Sequence, residues 1–345
     1  MTAVASAGPA VRPGLHTDRL LRLMRGAVEE CRLDLSGAVV LTEAATGPYA
    51  VTPVLAAMAG AADVVALTRD TRYGTAAEVT RQTLALAEAA GVADRVTVTT
   101  TRRPEDISRA DVVTNSGHVR PIDEAMIALM KPTAVVPLMF EAWEAEAGRS
   151  DLDIPALRAR GIAVAGTNER HPAVDVFSYL GLMAVKLLLD AEVPAYRSRI
   201  AVLCDNPFLD FVVQGLTSVG AEVTAAASLA ELLGGPQPDA LLVALRPTGA
   251  PVLSPAEVAA LSARWPGCLV AQYWGDLDRA GLAASGLPVW PAAAPGAGHM
   301  GVLPSAVGPD PIVRLQTGGL KVAEVLLRPV ARRTARDLEF VDELS

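Results

Sequence analysis

Short runs that are apolar from end to end alternate with segments of helical periodicity along almost the whole chain, and this alternation narrows the fold more than any other feature. A strand covered on both faces needs apolar side chains at successive positions, whereas a half-solvated strand alternates. Gly37–Leu41 (GAVVL), Asp63–Leu67 (DVVAL), Arg95–Thr99, Asp111–Thr114, Thr133–Leu138 and Gly161–Ala165 read as such strands. Val51–Met58, Ala76–Ala90, Asp123–Met130 and Ile154–Arg160 read as the helices between them. Ala173–Glu192 is the longest helical segment, stopped by Pro194. A second series follows, with strands at Arg199–Leu203, Ala221–Val223, Ala240–Leu245, Cys268–Gln272 and Leu287–Trp290, and helices at Leu209–Val219, Pro255–Arg264 and Arg279–Ala284. Pro291–Pro311 has no periodicity and reads as a long loop, and Ile312–Leu327 as a final helix.

A length of 345 residues suits two domains of ordinary size. The expected class is therefore α/β, with two doubly wound parallel-sheet, Rossmann-like domains joined by crossing helices. Residues 15–172 plus 312–345 make the first and 173–311 the second. Acidic side chains outnumber basic ones 38 to 30, a net charge of −8, so nucleic acid is not an expected partner. Hydrophobic residues are 51% of the chain, yet no stretch approaches the roughly 18 uninterrupted apolar residues of a membrane span. The first 14 residues lack the basic start and apolar run of a secretory signal, so a frayed terminus on a cytoplasmic protein is expected. Cys31, Cys204 and Cys268 are far apart in apolar contexts without metal-ligand spacing, and read as reduced core thiols with no metal. GxxxxGK[ST], GxSxG, HExxH and CxxC are all absent from the sequence.

Ligands of open α/β sheets bind beyond the carboxyl ends of the strands, and the first half of the chain is well supplied with polar residues there. Glu43, Thr46 and Tyr49 follow the first strand, and Arg69 and Arg72 the second. Asn115, His118 and Arg120 follow the strand at Asp111, Glu141 and Trp143 the one at Thr133, and Asn168, Arg170 and His171 the one at Gly161. An arginine-rich rim with two imidazoles suits a small anionic or zwitterionic metabolite. Arg69 and Arg72 read either as solvated loop charges or as holders of an adenosine 2′-phosphate, should Thr42–Ala50, with Thr46 and Gly47, form a glycine-poor cofactor turn. His118 and His171 are candidate acid–base groups, with ordinary loop histidines as the alternative. Glu141 is either a general base or a helix cap, and Glu43 competes for the same role.

Leu152–Leu189 (LDIPALRARGIAVAGTNERHPAVDVFSYLGLMAVKLLL) and Asp239–Leu282 resemble the hinge and later stretches of the D-isomer-specific 2-hydroxyacid dehydrogenases. The likeness runs over residues 150–330, and over the first 150 in architecture only. It implies an NAD or NADP cofactor, a homodimer and an acid–base histidine, whose place His299 takes. The family's GxGxxG is replaced by CDNPFLDF (Cys204–Phe211), so Asp205 and Asn206 stand at the cofactor turn, and Trp274 takes the place of the substrate-binding arginine. Arg120 or Arg170 would then hold the substrate carboxylate. The expected function is an NAD(P)-linked oxidoreductase acting on a small carboxylated substrate. The alternative is a lyase, isomerase or hydrolase in which His118 or His171 with Glu141 moves protons, on a scaffold that has lost dinucleotide binding.

Overall fold

The computed structural model describes residues 12–146 and 151–344, so the expected frayed terminus lies largely outside the described residues. The chain divides into two compact units: residues 1–139, 153–164 and 308–334, and residues 140–152, 165–307 and 335–345. Residues 140–152, 165–172 and 335–345 thus group with the second unit, where the sequence alone placed them with the first. Their partners explain it. The Asn168 backbone N–H donates to Phe340 O, and the Ala142 N–H donates to the Asp342 carboxylate at 2.6 Å.

In chain order the elements are α1 (Thr17–Cys31), β1 (Val39–Glu43), α2 (Val51–Met58), β2 (Asp63–Leu67), α3 (Ala76–Ala90), β3 (Val96–Thr99), α4 (Pro104–Arg109), β4 (Val112–Val113), α5 (Glu124–Leu129) and β5 (Val135–Pro137). There follow α6 (Ala142–Glu146), α7 (Ile154–Ala159), β6 (Ala163–Thr167), α8 (Ser178–Asp190), β7 (Arg199–Cys204), α9 (Leu209–Ser218), β8 (Glu222–Ala226), α10 (Leu229–Leu233) and β9 (Ala240–Ala244). The chain continues through α11 (Pro255–Arg264), β10 (Leu269–Trp274), α12 (Arg279–Ala284), β11 (Val289–Trp290), α13 (Asp310–Leu327), α14 (Ala335–Leu338) and β12 (Val341–Asp342). Among the described residues no helix is long and apolar enough to cross a membrane.

The fold is α/β with parallel sheets, as the end-to-end apolar runs require. One sheet has the order β12-β6-β5-β4-β1-β2-β3 and the other β11-β10-β9-β7-β8, with β12 antiparallel to β6. Counted along the first sheet without β12, the strands run 3-2-1-4-5-6, with β1 to β5 in the first unit and β6 crossing the unit boundary at residue 165, and β7 to β11 of the second unit run 2-1-3-4-5. These are the two common doubly wound orders, and each reverses direction beside its first strand, leaving a crevice there. In the first unit the crevice lies between the ends of β1 and β4. In the second it lies between the ends of β7 and β9.

Two boundaries differ informatively from the sequence reading. β1 extends to Glu43, because its parallel register with β2 continues to Glu43 opposite Leu67, so Thr42 and Glu43 belong to the strand. α8 begins at Ser178 and not at Ala173. Residues 171–176 are turns held by Val174 N–H to His171 O and Val176 N–H to Glu169 O, with Asp175 at φ 44°, a left-handed conformation no helix tolerates.

The three thiols are buried and unbridged. Burial pushes Cys31 up to about 12 and Cys204 and Cys268 up to about 11, far from the reactive range.

Candidate functional site

The crevice of the first unit is built around a buried carboxylate. Glu43 closes β1 at 8% exposure. Its Oε2 accepts the backbone N–H of His118 at 2.8 Å, and the Gly117 N–H also reaches it. Burial raises its pKa above the ordinary carboxylate range, against the opposing pull of the His118 N–H, Arg120, Arg69 and the Gly117 N–H. Gly117 lies close against the carboxylate: a Cβ there would stand 3.2 Å from Glu43 Oε2, a tight contact, and 3.8 Å from an Arg120 terminal nitrogen. Beneath lie buried hydroxyls: Thr114 Oγ1 donates to Thr42 Oγ1 at 2.8 Å and also meets Ser116 Oγ. Asn115 is buried, and its Oδ1 accepts the Met139 N–H at 2.8 Å, tying the end of β4 to the chain beyond β5.

His118 is half-buried, and its Nδ1 has no hydrogen-bond partner among the described residues. Burial first, and Arg69 second, lower its pKa and so favour the neutral ring. Arg102 donates to the carbonyls of Val119 and Pro121, both at 3.1 Å, holding the loop that presents His118 and Arg120. Arg69 and Arg72 are exposed, Tyr49 and Thr46 half-buried. The first unit therefore gathers Glu43, Thr46, Gly47, Tyr49, Arg69, Arg72, Asn115, His118 and Arg120 of the expected site residues at the strand ends of one sheet.

The remaining candidates lie in the second unit. Glu141 is fully buried. Its Oε2 accepts Trp143 Nε1–H at 2.6 Å and its Oε1 accepts Arg170 Nε–H at 3.1 Å. Burial raises its pKa, with Trp143 and Arg170 opposing. The Arg170 guanidinium lies over Phe177 at 5.6 Å, and Arg246 lies over Trp143 at 5.0 Å. His171 is stacked on Phe340 at 3.8 Å, and its Nδ1 accepts the Ala173 N–H at 3.1 Å. Its pKa is lowered, chiefly by burial. Asn168 donates to Glu339 O at 2.9 Å and accepts the Arg170 N–H. These bonds hold the segment together internally and bring no ring nitrogen of His171 onto Glu141. Trp274 is 5% exposed, packed on Phe208 at 5.1 Å and Trp143 at 5.5 Å, and its Nε1–H goes to Gly298 O. His299 is exposed on the long loop.

The turn where a dinucleotide pyrophosphate would be held in the second unit does not fit that group. Asp205 Oδ1 accepts the Arg246 N–H at 3.0 Å, and Asn206 donates to Ala244 O at 2.5 Å, so the two residues bridge the ends of β7 and β9. No glycine lets a phosphate approach the backbone, and a carboxylate stands where negative charge would come. Phe208 opens α9 with its ring in the core, against Trp143, Phe177 and Trp274. Among the described residues no group of three or more His, Cys, Asp or Glu side chains is placed to hold a metal ion.

Sequence reasoning passed over Thr114, Ser116 and Gly117, which frame Glu43. They sit in the same TNSG stretch as Asn115, and a run of small hydroxyl and glycine residues directly after a strand was the available signal. It also passed over Phe177 and Arg246.

Neither a protein-family model nor any curated protein sequence matches the chain. Solved structures do. A dipicolinate synthase from Bacillus halodurans is 13% identical with a TM-score of 0.54, over 86% of this chain and 100% of that one. The dipicolinate synthase from Bacillus subtilis is 12% identical with a TM-score of 0.51, over 88% and 99%. A D-lactate dehydrogenase from Treponema pallidum is 12% identical with a TM-score of 0.50, over 84% and 97%. The chain has the fold of these proteins. The resemblance to the D-isomer 2-hydroxyacid dehydrogenases is thus borne out in the fold.

Proposed function

We propose that the chain is an NAD(P)-linked oxidoreductase acting on a small carboxylated substrate, with its proton chemistry in the crevice of the first unit. The observation that carries this reading is Glu43, a buried carboxyl at the strand-order reversal, kept in reach of two arginines and two backbone N–H groups. A carboxyl whose pKa is raised holds its proton toward neutral pH and can deliver it. Arg120 takes the substrate carboxylate, a task suited to a guanidinium. In the reducing direction Glu43 gives its proton to the carbonyl oxygen of a 2-oxo acid, and the Gly117 and His118 N–H groups then stabilise the carboxylate left behind. In the oxidising direction Glu43 takes the hydroxyl proton back. The nicotinamide, when bound, supplies or accepts the hydride at the same carbon. His118 is a positioning residue, acting through its backbone on Glu43.

A second reading is favoured by the bridged, acidic turn at Asp205 and Asn206: the same Glu43 moving a proton beside a carboxylate without any nucleotide, as in a lyase or isomerase. Titrating the purified chain with NADH and NADPH by fluorescence, and following nicotinamide absorbance with a panel of 2-oxo acids, separates the two. Nucleotide binding with turnover supports the oxidoreductase. No binding of either nucleotide leaves the non-redox reading.

A further inference from the structure

The two crevices differ in charge and in what already occupies them. In the second unit Asp205 and Asn206 span the strand ends and Phe208 fills the space behind. In the first unit the turn after β1 is flanked by cations. Gly47 sits at φ 65°, and the position a Cβ would take there is 3.3 Å from an Arg12 terminal nitrogen. On the other flank, Thr71 and Gly74 close a small loop by a backbone bridge, and this loop lies directly on the turn: a Cβ on Gly74 would come 2.8 Å from Thr46 Cγ2. The loop carries Arg72, whose guanidinium covers the Tyr73 ring at 4.7 Å, and that ring is 65% exposed. Arg69 stands exposed just past β2. The acids nearby are engaged: Asp70 accepts the Ala76 N–H at 2.7 Å, and Glu78 contacts Gln82.

The geometry points to the first unit, not the second, as the holder of a nucleotide bearing a 2′-phosphate, a placement that rests on the oxidoreductase reading above. The strand order 3-2-1-4-5-6 is the one that binds dinucleotides across its reversal point, and the residue type about 20 positions beyond the turn sets the cofactor. An acid there takes a ribose 2′-hydroxyl, whereas an arginine takes a 2′-phosphate. Here that place holds Arg69, with Arg72 beside it, and the only acid of the loop is committed to capping α3. Arg12 beside Gly47 gives the turn the cation that Asp205 denies its counterpart. The exposed Arg72–Tyr73 pair offers a flat face for a purine.

The test is fluorescence titration of the full chain with NADPH and NADH, with displacement by 2′,5′-ADP or by inorganic phosphate. NADPH is expected to bind at least tenfold more tightly than NADH, and 2′,5′-ADP to displace it at concentrations where inorganic phosphate does not. Arg69→Ala and Arg72→Ala are each expected to weaken NADPH by about tenfold with little effect on NADH, the cost of one charge-assisted phosphate contact. Asp205→Asn is expected to change neither. Both arginines are exposed, so circular dichroism should report an intact fold. Equal affinity for the two nucleotides, indifference to Arg69 and Arg72, sensitivity to Asp205→Asn, or equal displacement by phosphate would overturn the placement while the oxidoreductase reading stands. If neither nucleotide binds, both go.

Discussion

The carboxylate of Glu43 and the backbone nitrogen of His118 are 2.8 Å apart, a bond that joins the end of β1 to the loop after β4 across 75 residues of chain. Sheet topology alone makes these two neighbours. The pairing fixes the carboxylate without using the imidazole.

Glu43→Gln keeps the size of the side chain and removes its proton. Turnover of any 2-oxo acid found to react should fall by about 10²–10⁴-fold, the usual contribution of a positioned acid–base group. The binding of NADPH should change little. The substitution should also abolish the pH dependence that Glu43 gives the rate; an unchanged pH–rate profile would remove Glu43 from the chemistry.

His171 should make the second unit lose stability in acid. Its folded pKa lies below the unfolded value of about 6.5, so its contribution is fully present above that value and is lost as pH falls through the folded pKa. The chief cause is burial of the ring, with Arg336 adding to it and Glu339 opposing it; a proton on Nδ1 would also face the Ala173 N–H that it now accepts. Melting temperatures of the wild type and His171→Phe, measured from pH 8 down to about pH 5, should therefore diverge, with the variant the flatter curve. Parallel curves would mean that the ring does not titrate between the two states.

Most strands and the longer helices were legible because a doubly covered sheet imposes continuous apolar runs that one sequence displays. Less legible were elements defined by partners distant in the chain. β12 is two residues long and exists through its antiparallel pairing with β6, Val341 opposite Thr167. α1 was readable and passed over: Leu20, Leu21, Met24, Ala27 and Cys31 form one buried helical stripe, but no strand precedes it to start the alternation. At the site, charge drew attention equally to Glu43 and Glu141, because sequence does not show that Glu141 is sealed with both oxygens engaged. The histidines of the two sheet-end loops read as one pair, yet each turns out to be held by local bonds in a different unit.

Phe208 tests whether the turn after β7 is core or cradle. It is 5% exposed and contacts Trp143, Phe177 and Trp274 edge-on or tilted. Phe208→Ala should cost about 3–5 kcal/mol, as for other buried aromatic truncations. Tryptophan emission should shift to the red as water reaches the two indoles. A variant of wild-type stability with unchanged emission would show that the ring is not part of the core.

Two glycines in helices should respond to alanine with opposite signs. Gly181 of α8 meets Gly215 of α9 so closely that an added Cβ would stand 2.5 Å from Gly215 Cα and 2.7 Å from Phe211 O. Both obstacles are backbone, which cannot step aside as a flexible side chain would. The helix propensity gained by Gly181→Ala, up to about 1 kcal/mol, is therefore set against overpacking of about 1–3 kcal/mol or more, and the helices must separate. Loss of stability is the expected outcome, felt through the cluster in which Leu180, Met183 and Ala184 pack with Val212 and Leu216. Gly26 of α1 has no other atom within 4 Å of the same position, so Gly26→Ala should stabilise by about 0.5–1 kcal/mol. Denaturant midpoints of the two variants should move apart on either side of the wild type; a Gly181→Ala midpoint at or above the wild type would mean that α8 and α9 do not cross this closely.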